Sequence, residues 1–361
     1  MTRPIRAMID TAALRHNFSL VRRFAPMTRV LAVIKADGYG HGLLRVAEAL
    51  GAADGFGVAS VEEGVALRRA GFQQHICLFE GFYHPDELAV CAEHSLSPVI
   101  HHKSQMWDIE NAARLSPPVD VWLKVDTGMH RLGFRPEEFA SLYQRLRVCM
   151  NVAQVRVLSH LANADNKFDP ATADQTARFN SVAGELASER SLANSAGIFS
   201  WPSTHFEWVR PGIMLYGASP TVGVPAAELD LKPVMTLESE IIAVNQRRKG
   251  DRLGYGGDWV CPEDMPVGVV AAGYGDGYPR RAPAGTPVLV NGARAALIGR
   301  VSMDLIMVDL RECKDVRVGD RVVLWGEGLP VDEVAQRCGT ISYELLCQVT
   351  PRVPRDIRDK P

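Results

Sequence analysis

The sequence lacks the features that would settle its class at a glance. No apolar run is long enough to span a bilayer, and the opening Met1-Thr2-Arg3-Pro4-Ile5-Arg6 is not followed by the apolar core of an export signal. A cytoplasmic protein is expected. Seven cysteines, an odd number with no C-x-x-C pair, read as reduced thiols and give no reason to expect disulfides or zinc. A net charge of -2 offers nothing to nucleic acid or to an anionic membrane. There is no G-x-S-x-G, no P-loop, no G-x-G-x-x-G after a strand and no H-x-x-E-H type helix, so the common nucleophile, nucleotide and metal motifs are missing.

What is present is an alternation. Hydrophobic residues at 47% and charged residues at 23% describe a globular protein, and 361 residues suit one barrel of about 220 to 250 residues with an appendage. Asp10 precedes a helix expected over 11–24. Short apolar runs at 30–34, 55–59, 76–79, 97–100, 119–125 and 152–158 then alternate with amphipathic stretches at 61–70, 85–93, 103–115, 136–146 and 170–187. Such alternation predicts a parallel sheet. Counting 193–195 and 206–210 as two weak final strands gives eight units, hence a (β/α)8 TIM-like barrel over 1–218.

Past Gly217 the helical periodicity fades. Asn291-Gly292 between two apolar runs is a hairpin signal, Gly319-Asp320 precedes another strand, and one helix over 331–337 stops before Gly339. Residues 219–361 therefore read as a mainly β C-terminal domain.

The stretch most in need of a reason is Val30-Leu31-Ala32-Val33-Ile34-Lys35-Ala36-Asp37-Gly38-Tyr39-Gly40-His41-Gly42. A doubly buried strand ends on a lysine and runs into a turn with three glycines. The plain explanation is that Lys35 is the first exposed residue. The chemical one is that a desolvated amine there forms a Schiff base with a carbonyl, as pyridoxal phosphate requires. Barrel chemistry gathers at the carboxyl ends of the strands, where Lys124, Asp126, Arg131, Ser159-His160, Asn194-Ser195 and Arg210-Pro211-Gly212-Ile213 also fall. The last two groups occupy the loops that often hold a phosphate on backbone N–H groups. Taken singly, His160 suits a satisfied buried histidine, Arg210 a paired charge and Ser195 a helix cap.

The lysine stretch resembles the cofactor-lysine signature of the alanine racemases. Further blocks resemble that family in the same order, among them Lys124 to Gly133, Ser159 to Asp165, Asn194-Ser195-Ala196, Val209 to Gly217, Gly254 to Gly257, Gly273 to Gly277 and Gly299 to Asp304. The match runs through both domains. It implies a pyridoxal 5'-phosphate enzyme that interconverts L-alanine and D-alanine, built as a homodimer whose active sites each borrow residues from the other subunit. By the same resemblance Lys35 carries the cofactor; Tyr39, Asn194, Ser195, Gly212 and Ile213 hold it; and Arg210 meets the pyridine nitrogen. Arg131 and the Met303 backbone hold the substrate carboxylate, and Tyr274 lines the entrance. Lys124 matches a lysine that is often carbamylated. Tyr255, reaching across the dimer, is the second base, with His160 linking it to Arg210.

Racemisation needs proton access from both faces of the α-carbon, which accounts for two bases in a reaction with so small a net change. The pattern departs from the family near the carboxyl terminus, where Pro351 stands where some relatives carry a tyrosine over the phosphate; Tyr343 is the nearest substitute. Ser302 replaces a frequent cysteine. The resemblance leaves three alternatives: a broad-specificity amino acid racemase, whose group usually carries an export signal; a basic amino acid decarboxylase, which would want a different cysteine motif; and a non-catalytic pyridoxal phosphate carrier, whose relatives lack the second domain.

Overall fold

The first barrel strand, Arg29–Val33, is apolar after its opening arginine and buried on both faces, so it must sit inside a sheet covered by helices. In the computed structural model, which describes residues 3–358 apart from 185 and 188, it is one of eight parallel strands that close a barrel. The others are Gly55–Val58, His75–Leu78, Leu96–Ile100, Val119–Lys124, Val152–Leu158, Arg190–Ser191 and Trp208–Val209. Closure is direct, with Arg29 and Val30 registering on Trp208 and Val209. Leu31, Cys77, Val99, Trp122, Leu158 and Trp208 fill the interior, which leaves chemistry only at the mouth.

The helix Thr11–Phe24 begins as expected, because the Asp10 carboxylate accepts the Ala13 N–H at 2.8 Å. The seventh strand differs from expectation. It lies at Arg190–Ser191 rather than 193–195, since the Asn194 side chain accepts the Gly197 N–H at 2.9 Å and starts the helix Ser195–Ser200. A residue that caps a helix leaves the strand ladder. The two short final strands are held by side chains as well as by the ladder: Glu207 accepts the Arg190 N–H at 2.8 Å and Ser191 Oγ donates to the Trp208 carbonyl at 2.9 Å.

The second unit is an eight-stranded sheet around the long strand Met235–Arg247. The Asn291-Gly292 turn forms the expected hairpin between Pro287–Val290 and Ala293–Ile298. Two of its strands were not foreseen. Arg6–Ile9, inside the segment read as barrel, pairs antiparallel with Met235 to Glu238, and Arg355–Ile357 lies parallel to it. Segments near both ends of the described residues are thereby tied to one sheet. A short helix, Ser342–Cys347, also escaped the sequence reading, being too brief for periodicity. Among the described residues no helix is long and apolar enough to cross a membrane, and no cluster of possible metal ligands occurs.

At the closed end of the barrel Arg156 is almost fully covered and pairs with Glu189 and, at 2.9 Å, with Asp120; Glu189 also pairs with the more exposed Arg29. Removing the partner of a covered charge costs far more than trimming an exposed one. Glu189→Ala is expected to destabilise the protein by about 2–3 kcal/mol in urea unfolding, and Arg29→Ala by less than about 1 kcal/mol. Equal losses would contradict the assignment of the burden to Arg156.

Candidate active site

The chain does not enter a normal helix after the first barrel strand. Ala36, Asp37, Gly38 and Tyr39 all take left-handed backbone angles, at φ of 54°, 54°, 61° and 53°. Left-handed turns of this length are costly for residues with a Cβ. Here the turn throws Lys35 and Tyr39 to the same side, and both line a cavity of about 590 Å³ at the barrel mouth. Gly40, at φ 79°, closes the turn against the Ser342–Cys347 helix: a Cβ there would come within 2.2 Å of the Leu346 carbonyl oxygen.

The cavity collects Lys35, Lys124, Arg131 and Arg210, four cations against one wall carboxylate, Glu80. Among the described residues neither Lys124 nor Arg131 has an ion-pair partner. Burial, with Arg210 and Arg131 nearby, pulls the Lys124 amine down to about 8, against the opposing pull of Asp126. Arg210 is buried, with both terminal nitrogens engaged. It donates to the Ser159 carbonyl and to Ser191 Oγ, each at 2.6 Å, and to the Leu192 carbonyl at 3.2 Å. Burial lowers it only to about 10, so it stays cationic at neutral pH. His160 opens on the cavity and lies 3.5 Å from Arg210 through Nδ1. Burial first, then the Arg210 and Lys124 charges, lower it to about 3, which makes it a neutral imidazole accepting from the arginine.

On the opposite wall, Ser195 Oγ accepts the Gly212 N–H at 2.8 Å, drawing together the loops after the seventh and eighth strands. Gly212 leaves room for the Tyr39 hydroxyl, which a Cβ there would meet at 2.7 Å and have to displace. Asn194 and Ile213 complete this wall. Tyr39 stacks on Tyr216, with ring centroids 4.5 Å apart, and burial raises its phenol far above the ordinary value. Tyr343, on the unforeseen helix, reaches the same cavity with its ring 5.9 Å from that of Tyr39. Tyr343 is 40% exposed overall, and the partial desolvation of its phenol, with Asp165 and Asp332 nearby, raises it.

Three expected residues are elsewhere. Tyr255, Tyr274 and Met303 do not line the Lys35 cavity of their own chain. Tyr255 is 69% exposed beside Arg300, Ser302 and Leu305, which border a separate recess of about 430 Å³ on the second domain. The Met303 carbonyl accepts the Gly275 N–H at 2.8 Å, and the Tyr274 N–H goes to the Ser302 carbonyl at 3.0 Å, so the two loops form one outward-facing surface. The sequence reading overlooked Glu80, Tyr83 and His101. Their loops follow the third and fourth barrel strands, and position at a strand's carboxyl end was the only signal available. Tyr83 Oη donates to Glu80, while His101 Nε2 lies 3.1 Å from the Glu80 carbonyl oxygen.

A closed barrel whose first strand delivers a lysine into a cationic cavity, joined to a β domain that returns a helix to that cavity, defines a barrel enzyme of two-domain type. Models of the alanine racemase N-terminal and C-terminal domains match residues 9–220 and 234–357. The chain belongs to the alanine racemase family. It is 53% identical to alanine racemase of Nitrosococcus oceani over 97% of this chain and 98% of that one, and 50% identical to alanine racemase of Shewanella loihica over 96% and 97%. The crystal structure of the biosynthetic alanine racemase from Pseudomonas aeruginosa superposes with a TM-score of 0.96 at 45% identity, over 99% of this chain and all of that one.

His41, at the end of the lysine turn, is fully buried, and burial lowers it to about 4, with Arg355 and Arg45 adding to the effect. A base with a depressed folded value stabilises the fold fully above its unfolded value near 6.5, and that contribution is lost as pH falls towards 4. At pH 5 the loss from His41 alone is roughly 2 kcal/mol. Thermal melts of wild type and His41→Asn between pH 7.5 and 4.5 are expected to converge as pH falls; parallel curves would remove His41 from the acid sensitivity.

Proposed function

We propose that this protein interconverts L-alanine and D-alanine with pyridoxal 5'-phosphate bound at Lys35, working in the cytoplasm as a homodimer with shared active sites. The single observation that carries the reading is the convergence of the Lys35 amine, the Arg131 guanidinium and the Ser195–Gly212 cradle on one cavity. The fit to a phosphate-bearing aldehyde is chemical. The cavity holds an amine for the carbonyl, an excess of positive charge for the phosphate and a carboxylate, and a glycine whose missing Cβ leaves room for the Tyr39 hydroxyl. Neither nucleic acid nor a membrane is a partner in this reading. In this reading 1–218, apart from the strand Arg6–Ile9 that joins the second sheet, holds the cofactor, and 219–361 adds Tyr343 to that site and reaches the partner's.

When bound, the cofactor spreads the electron pair left as the α-proton departs. The rest is the work of side chains. Lys35 takes or returns the α-proton on one face, and Tyr255 of the partner subunit serves the other. Arg131 and the Met303 N–H of the partner subunit fix the carboxylate, so the α-carbon sits between the two bases. Arg210, a donor with no acceptor capacity, would meet the ring nitrogen and discourage its protonation. Tyr39, Asn194, Ser195, Gly212, Ile213 and Tyr343 would hold the phosphate end, and Tyr274 of the partner subunit would restrict substrate size. His160, neutral and bonded to Arg210, would orient Tyr255 of the partner subunit.

Lys124 carries a carbamate in this reading. Its lowered value leaves a substantial fraction of free amine near pH 8, and the new carboxylate would neutralise part of the surplus charge and steady Arg131. Isotope-labelled bicarbonate is expected to give a carbamate carbon signal that Lys124→Ala lacks. A spectrum with no such signal from the wild type would remove the modification.

The assignment of faces is tested by exchange in deuterated water. Tyr255→Ala is expected to keep α-proton exchange from D-alanine and to lose exchange from L-alanine by about a hundredfold or more. Equal exchange from both enantiomers would contradict it. Mixed dimers of Lys35→Ala and Tyr255→Ala chains contain one intact site and are expected to regain activity; verified mixed dimers without activity would favour a site made within one chain.

A further inference from the structure

The lysine turn is not supported by the barrel alone. The carbonyls of its last three residues, Gly38, Tyr39 and Gly40, are each met by a side-chain nitrogen. His41 Nδ1 lies 3.0 Å from the Gly38 carbonyl oxygen and 2.8 Å from that of Tyr39. Arg45 Nη1 donates to the His41 carbonyl at 2.9 Å. The carbonyl of Gly40, the residue that ends the turn, is met from much further along the chain: Arg355 Nε donates to it at 2.7 Å. The same guanidinium donates to the Val349 carbonyl at 2.9 Å and to the Val353 carbonyl at 3.3 Å, so it is anchored in the carboxy-terminal segment while it grips the turn.

Two further contacts join the same partners. Gly40 lies so close to Leu346 that no side chain fits between them, and the Tyr343 ring stands beside Tyr39. The segment from Tyr343 to Arg355 therefore touches the turn through a ring, a backbone approach and a charged hydrogen bond. Its far end is fixed independently, because Arg355–Ile357 pairs with Arg6–Ile9, which in turn pairs with the second domain's long strand.

We propose that Arg355 is a positioning residue for the Lys35 turn: by tying the Gly40 carbonyl to the carboxy-terminal segment it makes the second domain set where the Lys35 amine and the Tyr39 hydroxyl stand. The reasoning is one of strain. Four successive left-handed residues, three of them with a Cβ, relax toward the right-handed region unless their carbonyls are held in place. A charged donor on Gly40 holds the end of the turn that no barrel strand reaches. The guanidinium suits the task because three carbonyls from two segments must be met by one planar group, which an ammonium on a flexible stem does not match. The functional consequence rests on the reading of Lys35 as the cofactor's lysine; the mechanical one does not.

The test compares wild type, Arg355→Met and Arg355→Lys as full chains purified with pyridoxal phosphate. Amide exchange is followed by mass spectrometry on peptides covering 30–46 and 235–247, and cofactor dissociation is followed by dialysis. Both variants are expected to exchange the Gly38, Gly40 and Gly42 amides roughly tenfold faster or more, the order set by a lost hydrogen bond to a charged group. The 235–247 peptide is expected to remain at the wild-type rate. Cofactor is expected to dissociate faster, and kcat to fall more than KM rises. Arg355→Lys keeps the charge and the strand, so it carries the test if Arg355→Met does not fold. Unchanged exchange in the turn, or faster exchange spread evenly over both peptides, would overturn the proposal by showing a general structural role. Failure of the wild type to take up pyridoxal phosphate would instead overturn the reading of Lys35, and the exchange of the turn would still decide the role of Arg355.

Discussion

The structure depends on one piece of unfavourable backbone. Between a fully buried strand and the helix Leu43–Ala49, the chain makes a left-handed turn in which Ala36, Asp37 and Tyr39 carry a Cβ against the normal steric preference. At about 1–2 kcal/mol per residue, three such residues cost several kcal/mol. That cost is offset by the hydrogen bonds of Gly38, Gly40 and Gly42 N–H to the carbonyls of Ile34, Ala36 and Asp37, and by the Leu43 N–H on the Asp37 carboxylate. A right-handed continuation would be cheaper, but it would not send Lys35 and Tyr39 together into the barrel mouth.

The second constraint is charge. Lys35, Lys124, Arg131 and Arg210 share one cavity, and they do so at unequal cost. Arg210 has acceptors in Ser159, Ser191 and Leu192 and remains charged. Lys124 has no ion-pair partner among the described residues, and burial, with Arg210 and Arg131 nearby, lowers it. A cavity of this kind is poised for anions, because each phosphate or carboxylate oxygen that enters relieves repulsion among the cations. Burial, reinforced by the same charges, lowers His160, so the imidazole next to Arg210 is an acceptor rather than a competing cation.

Much of this was legible in the sequence, and the reasons it was or was not are physical. The barrel could be read because its first six strands are apolar and long enough to show a pattern, and the lysine turn because its glycines mark a conformation that other residues resist. The seventh strand was misplaced because two residues held by side-chain bonds leave no periodic trace, and Asn194 looks the same as a strand residue or as a cap. Arg6–Ile9 and Arg355–Ile357 were missed because a strand with one partner at the other end of the chain has no local signal. In the site, Lys35, Arg210, Ser195 and Gly212 could be found from strand ends alone. Tyr343 could not, since its place depends on a six-residue helix whose packing against Gly40 only the folded chain reveals. Tyr255, Tyr274 and Met303 lie outside the Lys35 cavity, in keeping with their proposed service to a second copy.

The central claim is that the Lys35 amine is the covalent anchor of the cofactor, and the most direct measurement is borohydride reduction of the purified protein followed by peptide mapping. The account predicts one reduced pyridoxyl label, on the peptide that contains Lys35. A label on Lys124 or on any other side chain, or no label at all, would contradict it.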